Sequence, residues 1–272
     1  MSDVVRMLPV FNEIDVLPQN IDWYHRAGIR TVVIDNGSTD GSYELCRAAL
    51  AEGRIERLAR HPTEEFELLQ LLARVHLLAR ECRPQWLMLT AADEFFETAS
   101  GEPLLPALRE DFHAGYNLIK FYNMEFWMTE RDDAADPDPL TRMRHYSCYD
   151  VDMYRAYPNL EGLDLLRNFG HRPTFPHDIP GRVSPRLYVS RHYKLRNMDQ
   201  AQRKVRRIRP TRNEPHAHVH YRNFGGPDDF VVPARRLHRY AFDHRWNFDS
   251  VFDGRRDRPR ATLVPPAATA RR

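Results

Sequence analysis

Cysteine is scarce. Cys46, Cys82 and Cys148 are odd in number and widely spaced in 272 residues, which excludes a disulfide framework and a cysteine metal site. Lysine is scarcer still relative to its partner. Of 40 basic residues only Lys120, Lys194 and Lys204 are lysine, a bias that points to a GC-rich coding genome and a bacterial source. Charge of one sign is also lacking, since a net charge of +2 supplies no basic field for nucleic acid. Long apolar runs are missing: the most apolar stretch, Leu68 to Leu78, is broken by Gln70, Arg74 and His76 and cannot span a bilayer. No charged-then-apolar leader opens the chain, and neither G-x-G-x-x-G nor G-x-x-x-x-G-K-[ST] occurs, which argues against dinucleotide and P-loop chemistry. A cytoplasmic location is expected, with peripheral contact at the inner face of the membrane through arginines left open.

What is present is a series of acidic strand ends. Residues 31 to 42 read T-V-V-I-D-N-G-S-T-D-G-S, a β-branched run suited to a buried parallel strand that ends at Asp35 and breaks into a tight turn. Ligands of open α/β sheets bind outside the carboxyl ends of strands, so Asp35 is either a ligand contact or a turn cap. Val4 to Leu8 form a similar run that Pro9 is expected to stop, with Asn12-Glu13 just beyond and a helical pattern from Ile14 to Gly28. A third acidic end follows Trp86 to Thr90 at A-A-D-E-F, after an amphipathic helical segment from Glu64 to Arg80. Alternating strands and helices predict a parallel, wound sheet.

The pieces P-V-F-N-E (Pro9 to Glu13), I-D-N-G-S-T-D-G-S (Ile34 to Ser42) and A-A-D-E-F (Ala91 to Phe95), in that order, resemble family-2 glycosyltransferases with the GT-A fold. R-H-Y-K-L-R-N-M-D-Q-A-Q-R-K (Arg191 to Lys204) is similar to the H-Y segment of a bacterial branch of that family. The resemblance implies an α/β, GT-A-like (Rossmann-like), mostly parallel wound sheet flanked by helices, with a C-terminal extension. Domains are expected at 1–205, with an extension over 206–258 packing on it and a disordered tail over 259–272. The implied substrate is a nucleoside diphosphate sugar, UDP-, dTDP- or GDP-linked, with a small-molecule or cell-envelope acceptor.

Carried over residue by residue, the resemblance assigns the nucleotide-sugar to Pro9, Phe11, Asn12, Glu13, Asp35, Ala92, Asp93 and Lys194. A carboxylate at Asp35 can accept from a base N–H and from ribose hydroxyls. Asp93 and His192 are implied as ligands of a divalent metal, Mn2+ or Mg2+, which prefers oxygen donors. The chain departs from the family pattern at Ala91, where relatives usually carry an acid. If the segment stays extended, Glu94 faces away from Ala91 and Asp93 and is no obvious substitute. Basic residues available for phosphate are Lys194, Arg196, Lys204 and Arg142.

Inverting transfer needs a base near the acceptor, and Glu125, Asp133 and Asp164 are the candidates. Asn117 to Tyr122 read as a strand with Glu125 nearest its end, while any single one of these acids is more simply a solvated loop charge. Phe126 and Trp127 suit either sugar stacking or core packing. His216, His218 and His220 alternate onto one face of any strand formed there, at about 7 Å spacing, which is wide for tetrahedral zinc. Leu237 to Trp246 read as a short basic helix. Two rivals follow from the residues: a nucleotide-sugar-binding protein impaired in catalysis at Ala91, and a phosphotransferase with a nucleophilic Asp35. The latter lacks the second acid two residues on, where Gly37 stands.

Overall fold

The computed structural model describes residues 4–63, 67–149, 153–168, 170–176, 179–207 and 229–240. The His216, His218 and His220 alternation, the 259–272 tail and most of the 206–258 extension lie outside the described residues. Along the chain run β1 (Val4–Val10), α1 (Leu17–Arg26), β2 (Arg30–Asp35), α2 (Ser42–Ala51), β3 (Arg57–Arg60), α3 (Leu68–Cys82), β4 (Trp86–Leu89), β5 (Glu94–Thr98) and α4 (Leu104–His113). They are followed by β6 (Ile119–Trp127), α5 (Pro139–Arg142), β7 (His145–Tyr149), β8 (Tyr154–Pro158), β9 (Tyr188–His192), α6 (Met198–Arg207) and β10 (His238–Arg239). Two compact units emerge: Met1–Phe121 with Asp152–Tyr188, and Tyr122–Val151 with Val189–Arg272.

The first unit is a mostly parallel wound sheet. Strands β3, β2, β1 and β4 lie side by side and parallel, and β8 adds to β4 antiparallel. Period-two alternation decides its two faces. Val5, Met7, Val32, Ile34, Leu87 and Leu89 meet Leu71, Leu72, Val75 and Leu78 of α3 on one side. Leu8, Val10 and Val33 meet Leu17, Ile21 and Cys46 of α1 and α2 on the other, and Val4 and Met88 meet α1 and α4 there. Each such side chain taken out of water contributes about 1.5–3 kcal/mol.

Pro9 does not stop β1, as the sequence reading expected; it pairs in register with Ile34. The reason is directional. Val10 O accepts from Asn36 N on the β2 side, so Pro9, one residue earlier, turns its missing N–H toward β4, whose last laddered pair with β1 is Met7 with Leu89. The proline falls where no donor is needed. Helix α1 starts at Leu17, later than Ile14, because a proline sits in its first turn, and Gly28 at φ 71° ends it.

The second unit carries an antiparallel sheet, β6 to β7 to β10. The strand predicted over Asn117 to Tyr122 instead runs Ile119–Trp127, beginning in the first unit and continuing in the second. Glu125 is therefore inside a strand and not past its end. The cause is cross-strand pairing, since Met124 to Trp127 find partners in β7 from Cys148 back to His145. Leu237 opens no helix in the described part: His238 and Arg239 pair with Tyr146 and His145 as β10, and residues past 240 of that expected helix lie outside the described residues.

Candidate functional site

Strands β1, β2 and β4 are parallel neighbours, so their exit loops leave from one edge of the sheet, with β2 and β4 about 10 Å apart across β1. Two of these loops are tied together by side chains. Asn12 N donates to Ser38 Oγ (3.1 Å), Thr39 N to Asn12 Oδ1 (2.7 Å), Glu13 N to Ser42 Oγ (3.0 Å) and Ile14 N to Asp40 Oδ2 (3.1 Å). Asn12 takes a left-handed φ of 52°, a conformation asparagine tolerates because its short amide bonds locally. The segment Pro9 to Glu13 and the Asp35 turn are thus brought together.

Asp35 itself is fully buried. Its oxygens accept from Gly37 N (3.1 Å) and Ser38 N (3.2 Å), and Arg60 Nε lies 3.4 Å away. Of the two roles read from sequence, the turn cap is the one the geometry displays. A carboxylate has about four acceptor positions, so one remains beyond these three contacts. The Arg60 guanidinium is half exposed, rests over the Tyr43 ring at 4.2 Å, and puts a cation at the same edge.

After β4 the chain does not stay extended. Thr90 is anchored by Arg6, which is fully buried in β1 and also donates to Asn20 Oδ1 and lies 3.7 Å over the Tyr24 ring. Burial pushes the Arg6 pKa down to about 10, with Tyr24 and Glu94 opposing. A turn at Ala92-Asp93 follows, closed by Glu94 N donating to Ala91 O (3.3 Å), and Ala92 and Asp93 are both buried. The expected alternation of side chains fails here because the turn breaks the pleat. Glu94 folds back to accept from Ala91 N (2.8 Å) and pairs with Arg155 at 3.3 Å. Its carboxylate is spent on holding the turn, so it does not replace the acid absent at position 91.

Among the described residues no three His, Cys, Asp or Glu side chains gather as a metal centre. In the turn after β4 Asp93 is the buried acid beside Glu94, which pairs with Arg155. That donor set does not form a protein-only cage, but it fits a hard cation shared with phosphate oxygens and water, the manner in which Mg2+ is commonly held.

In the second unit Glu125 is buried in β6 and sits against Lys194 Nζ, 3.8 Å from His192 Nδ1 and 3.4 Å from Asn123 Nδ2. Lys194 also lies 5.2 Å from the Trp127 ring centroid. Lys194 and His192, assigned by resemblance to phosphate and metal, thus share a carboxylate. Phe126 and Trp127 are core residues: Phe126 stacks on Tyr193 at 4.5 Å, and Trp127 Nε1 donates to Ser147 Oγ (2.9 Å). Asp133 is exposed and caps its own turn through Ala135 N (2.9 Å). Asp164 does the same in the first unit, accepting from Leu166 N (2.7 Å). Arg142 and Arg196 hold main-chain carbonyls, Arg142 those of Asp136 and Arg196, and Arg196 that of Tyr193.

Sequence reading missed Arg60 and Arg155. Arg60 ends β3 at the active edge, a signal available from strand order. Arg155 lies 61 positions from Glu94, and nothing local links them.

An open parallel sheet with linked acidic turns at its carboxyl edge is the arrangement in which α/β proteins bind nucleotides. The family model for glycosyl transferase family 2 matches residues 7–162, more than half of the chain, and the protein belongs to that family of glycosyltransferases. Among solved structures it is similar to TarS of S. aureus (residues 1–349), at 9% identity and TM-score 0.41 over 80% of this chain and 68% of that one, both alone and in complex with UDP. It is also similar to the mannosyltransferase PcManGT from Pyrobaculum calidifontis in complex with GDP-Man and Mn2+, at 16% identity and TM-score 0.41 over 76% and 61% of the two chains. Comparison with curated proteins finds no significant match. No helix among the described residues is long and apolar enough to cross a membrane.

Proposed function

We propose that the protein moves a sugar from a nucleoside diphosphate sugar to a small-molecule or cell-envelope acceptor with inversion. The observation that carries this is the hydrogen-bonded union of the β1 and β2 exit loops around Asp35, a rigid platform at the carboxyl edge of a family-2 glycosyltransferase. An acceptor hydroxyl oxygen attacks the anomeric carbon, the bond to the diphosphate oxygen breaks, and the nucleoside diphosphate leaves with the electron pair. Glu125 takes the hydroxyl proton, being the buried acid of the three candidates, while Asp133 and Asp164 serve turns. Preorganised loops reduce the ordering cost of bringing the substrates together.

Asp93 would hold a divalent metal, Mn2+ or Mg2+, and when bound that ion would supply positive charge to offset the departing diphosphate. Thermal shift against nucleoside diphosphates and their sugars, with and without Mn2+, tests both statements. Ligand at 100 times its Kd adds roughly 2.7 kcal/mol. Asp93→Ala is expected to remove the Mn2+-dependent increment and to keep the nucleotide-only shift; a wild type whose shift ignores Mn2+ overturns the metal assignment. Ala91→Asp, restoring a second carboxylate to the turn, is expected to raise Mn2+ affinity about tenfold, read by titrating Mn2+ at fixed nucleotide.

A second reading, a nucleotide-sugar-binding protein impaired in catalysis, is favoured by Ala91 together with the commitment of Glu94 to Arg155. It predicts donor affinity without transfer or donor hydrolysis at any Mn2+ concentration.

A further inference from the structure

The opposite edge of the first unit carries a feature that donor chemistry does not use. A cleft of about 420 Å³ opens between the end of α3 and the segment that follows β8, lined by His76, Arg80, Arg83, Asn159, Leu160 and Glu161. It lies where β4 begins and β8 ends, at the amino edge of the parallel strands, away from Asp35 and Asp93. Its volume is within the range of small-molecule sites, about 300–1,000 Å³.

Three basic side chains converge there. His76 and Arg80 are four residues apart on α3 and share a face. Arg83 follows the helix end. Among the described residues none of the three meets a carboxylate, whereas Arg30, Arg54, Arg57 and Arg186 of the same unit each do. Glu81, the acid beside Arg80, is taken by Arg57. Glu161 is the one acid in the lining, leaving the cleft positive. A helix C-terminus attracts cations, which accounts for a basic residue within the last turn such as Arg80. Arg83 is the C-cap residue itself.

Arg83 has φ 46° and ψ 46°, a left-handed conformation in which glycine is the ordinary choice and a side chain with a Cβ is disfavoured. The backbone there is locked from across the cleft: Asn159 Nδ2 donates to Ala79 O (3.3 Å) and Pro84 O (3.1 Å), and Asn159 N to Gln85 O (2.9 Å). The chain thus holds an arginine at a position that disfavours it, on a hydrogen-bonded wall, with no ion-pair partner among the described residues. A guanidinium in that situation matches a phosphate oxygen pair.

We propose that this cleft is a second anion site, taking the phosphate group of a phosphate ester, separate from the donor edge. The ester is either a soluble molecule or a lipid headgroup, and one experiment distinguishes them. Inorganic phosphate and glycerol phosphate are titrated into the full chain and followed by phosphorus NMR, alongside flotation with phosphatidylglycerol-containing vesicles and phosphatidylcholine controls. Wild type, Arg83→Gly, Arg80→Gln and Asp35→Ala are compared. Arg83→Gly and Arg80→Gln are expected each to weaken phosphate binding by about fivefold or more. Arg83→Gly should also leave Tm unchanged or higher, because glycine relieves the backbone. Asp35→Ala should leave phosphate binding intact, so a failed donor assignment and a failed cleft assignment read differently. Flotation lost in the arginine variants identifies a headgroup; phosphate binding without flotation identifies a soluble ester. Equal binding in wild type and both arginine variants, loss confined to Asp35→Ala, or no binding of phosphate or vesicles overturns the proposal.

Discussion

Glu125→Gln is expected to lower kcat by about 100- to 10,000-fold, the usual contribution of a positioned base, with donor KM changed little. The same substitution strips Lys194 of a buried carboxylate, and breaking a buried pair from one side costs about 3–5 kcal/mol. Loss of activity alone therefore does not separate chemistry from folding. The double variant Glu125→Gln with Lys194→Met removes both charges and is expected to regain most of the lost Tm while staying inactive. Full turnover in a stable double variant would remove Glu125 from the reaction. Initial-rate kinetics and thermal melts on the three proteins read both quantities.

Asp35→Ala is expected to weaken nucleotide binding by about 10- to 100-fold, the equivalent of losing charge-assisted hydrogen bonds worth about 1.5–3 kcal/mol. The loss runs through the turn. Without the carboxylate, Gly37 N and Ser38 N lose their acceptor, and Ser38 is the residue that receives Asn12 N. Asp35→Asn keeps one acceptor oxygen and should retain part of the affinity. If instead Asp35 touches the base directly, Asp35→Asn should be as damaging as alanine, since its amide presents a donor where the base N–H needs an acceptor. Titration calorimetry with one nucleoside diphosphate separates these outcomes, and affinity equal to wild type in both variants contradicts any role at the donor edge.

The first ninety residues were largely legible because their signals are local. Val32 to Ile34 must be buried on both faces, Gly37 and Gly41 sit at φ 83° and 97°, and acidic turns can leave parallel strands from one edge only. Asp35 was placed correctly at its strand end, yet whether its oxygens point at ligand or at Gly37 and Ser38 depends on distances of a few tenths of a nanometre that no pattern encodes. Whether the A-A-D-E-F segment stays extended is not written in its own residues; its turn is closed by Glu94 and Ala91, and the Glu94 carboxylate also meets Arg155, 61 positions away. Phe126 and Trp127 suit either core or sugar stacking by sequence, and their burial decides for core.

Sequence alone determined the strand–helix alternation of the first ninety residues and its acidic exits, since these rest on hydrophobic period and turn chemistry within about ten residues, while the family was carried by the resemblance of three ordered motifs. Tertiary structure decided which acids are spent and which remain. Glu94 goes to Arg155, Asp133 and Asp164 to their own turns, and Glu125 to Lys194 and His192, because a carboxylate's role is set by the nearest donor in space, and those donors arrive from distant strands or from backbone that folding has bent toward them.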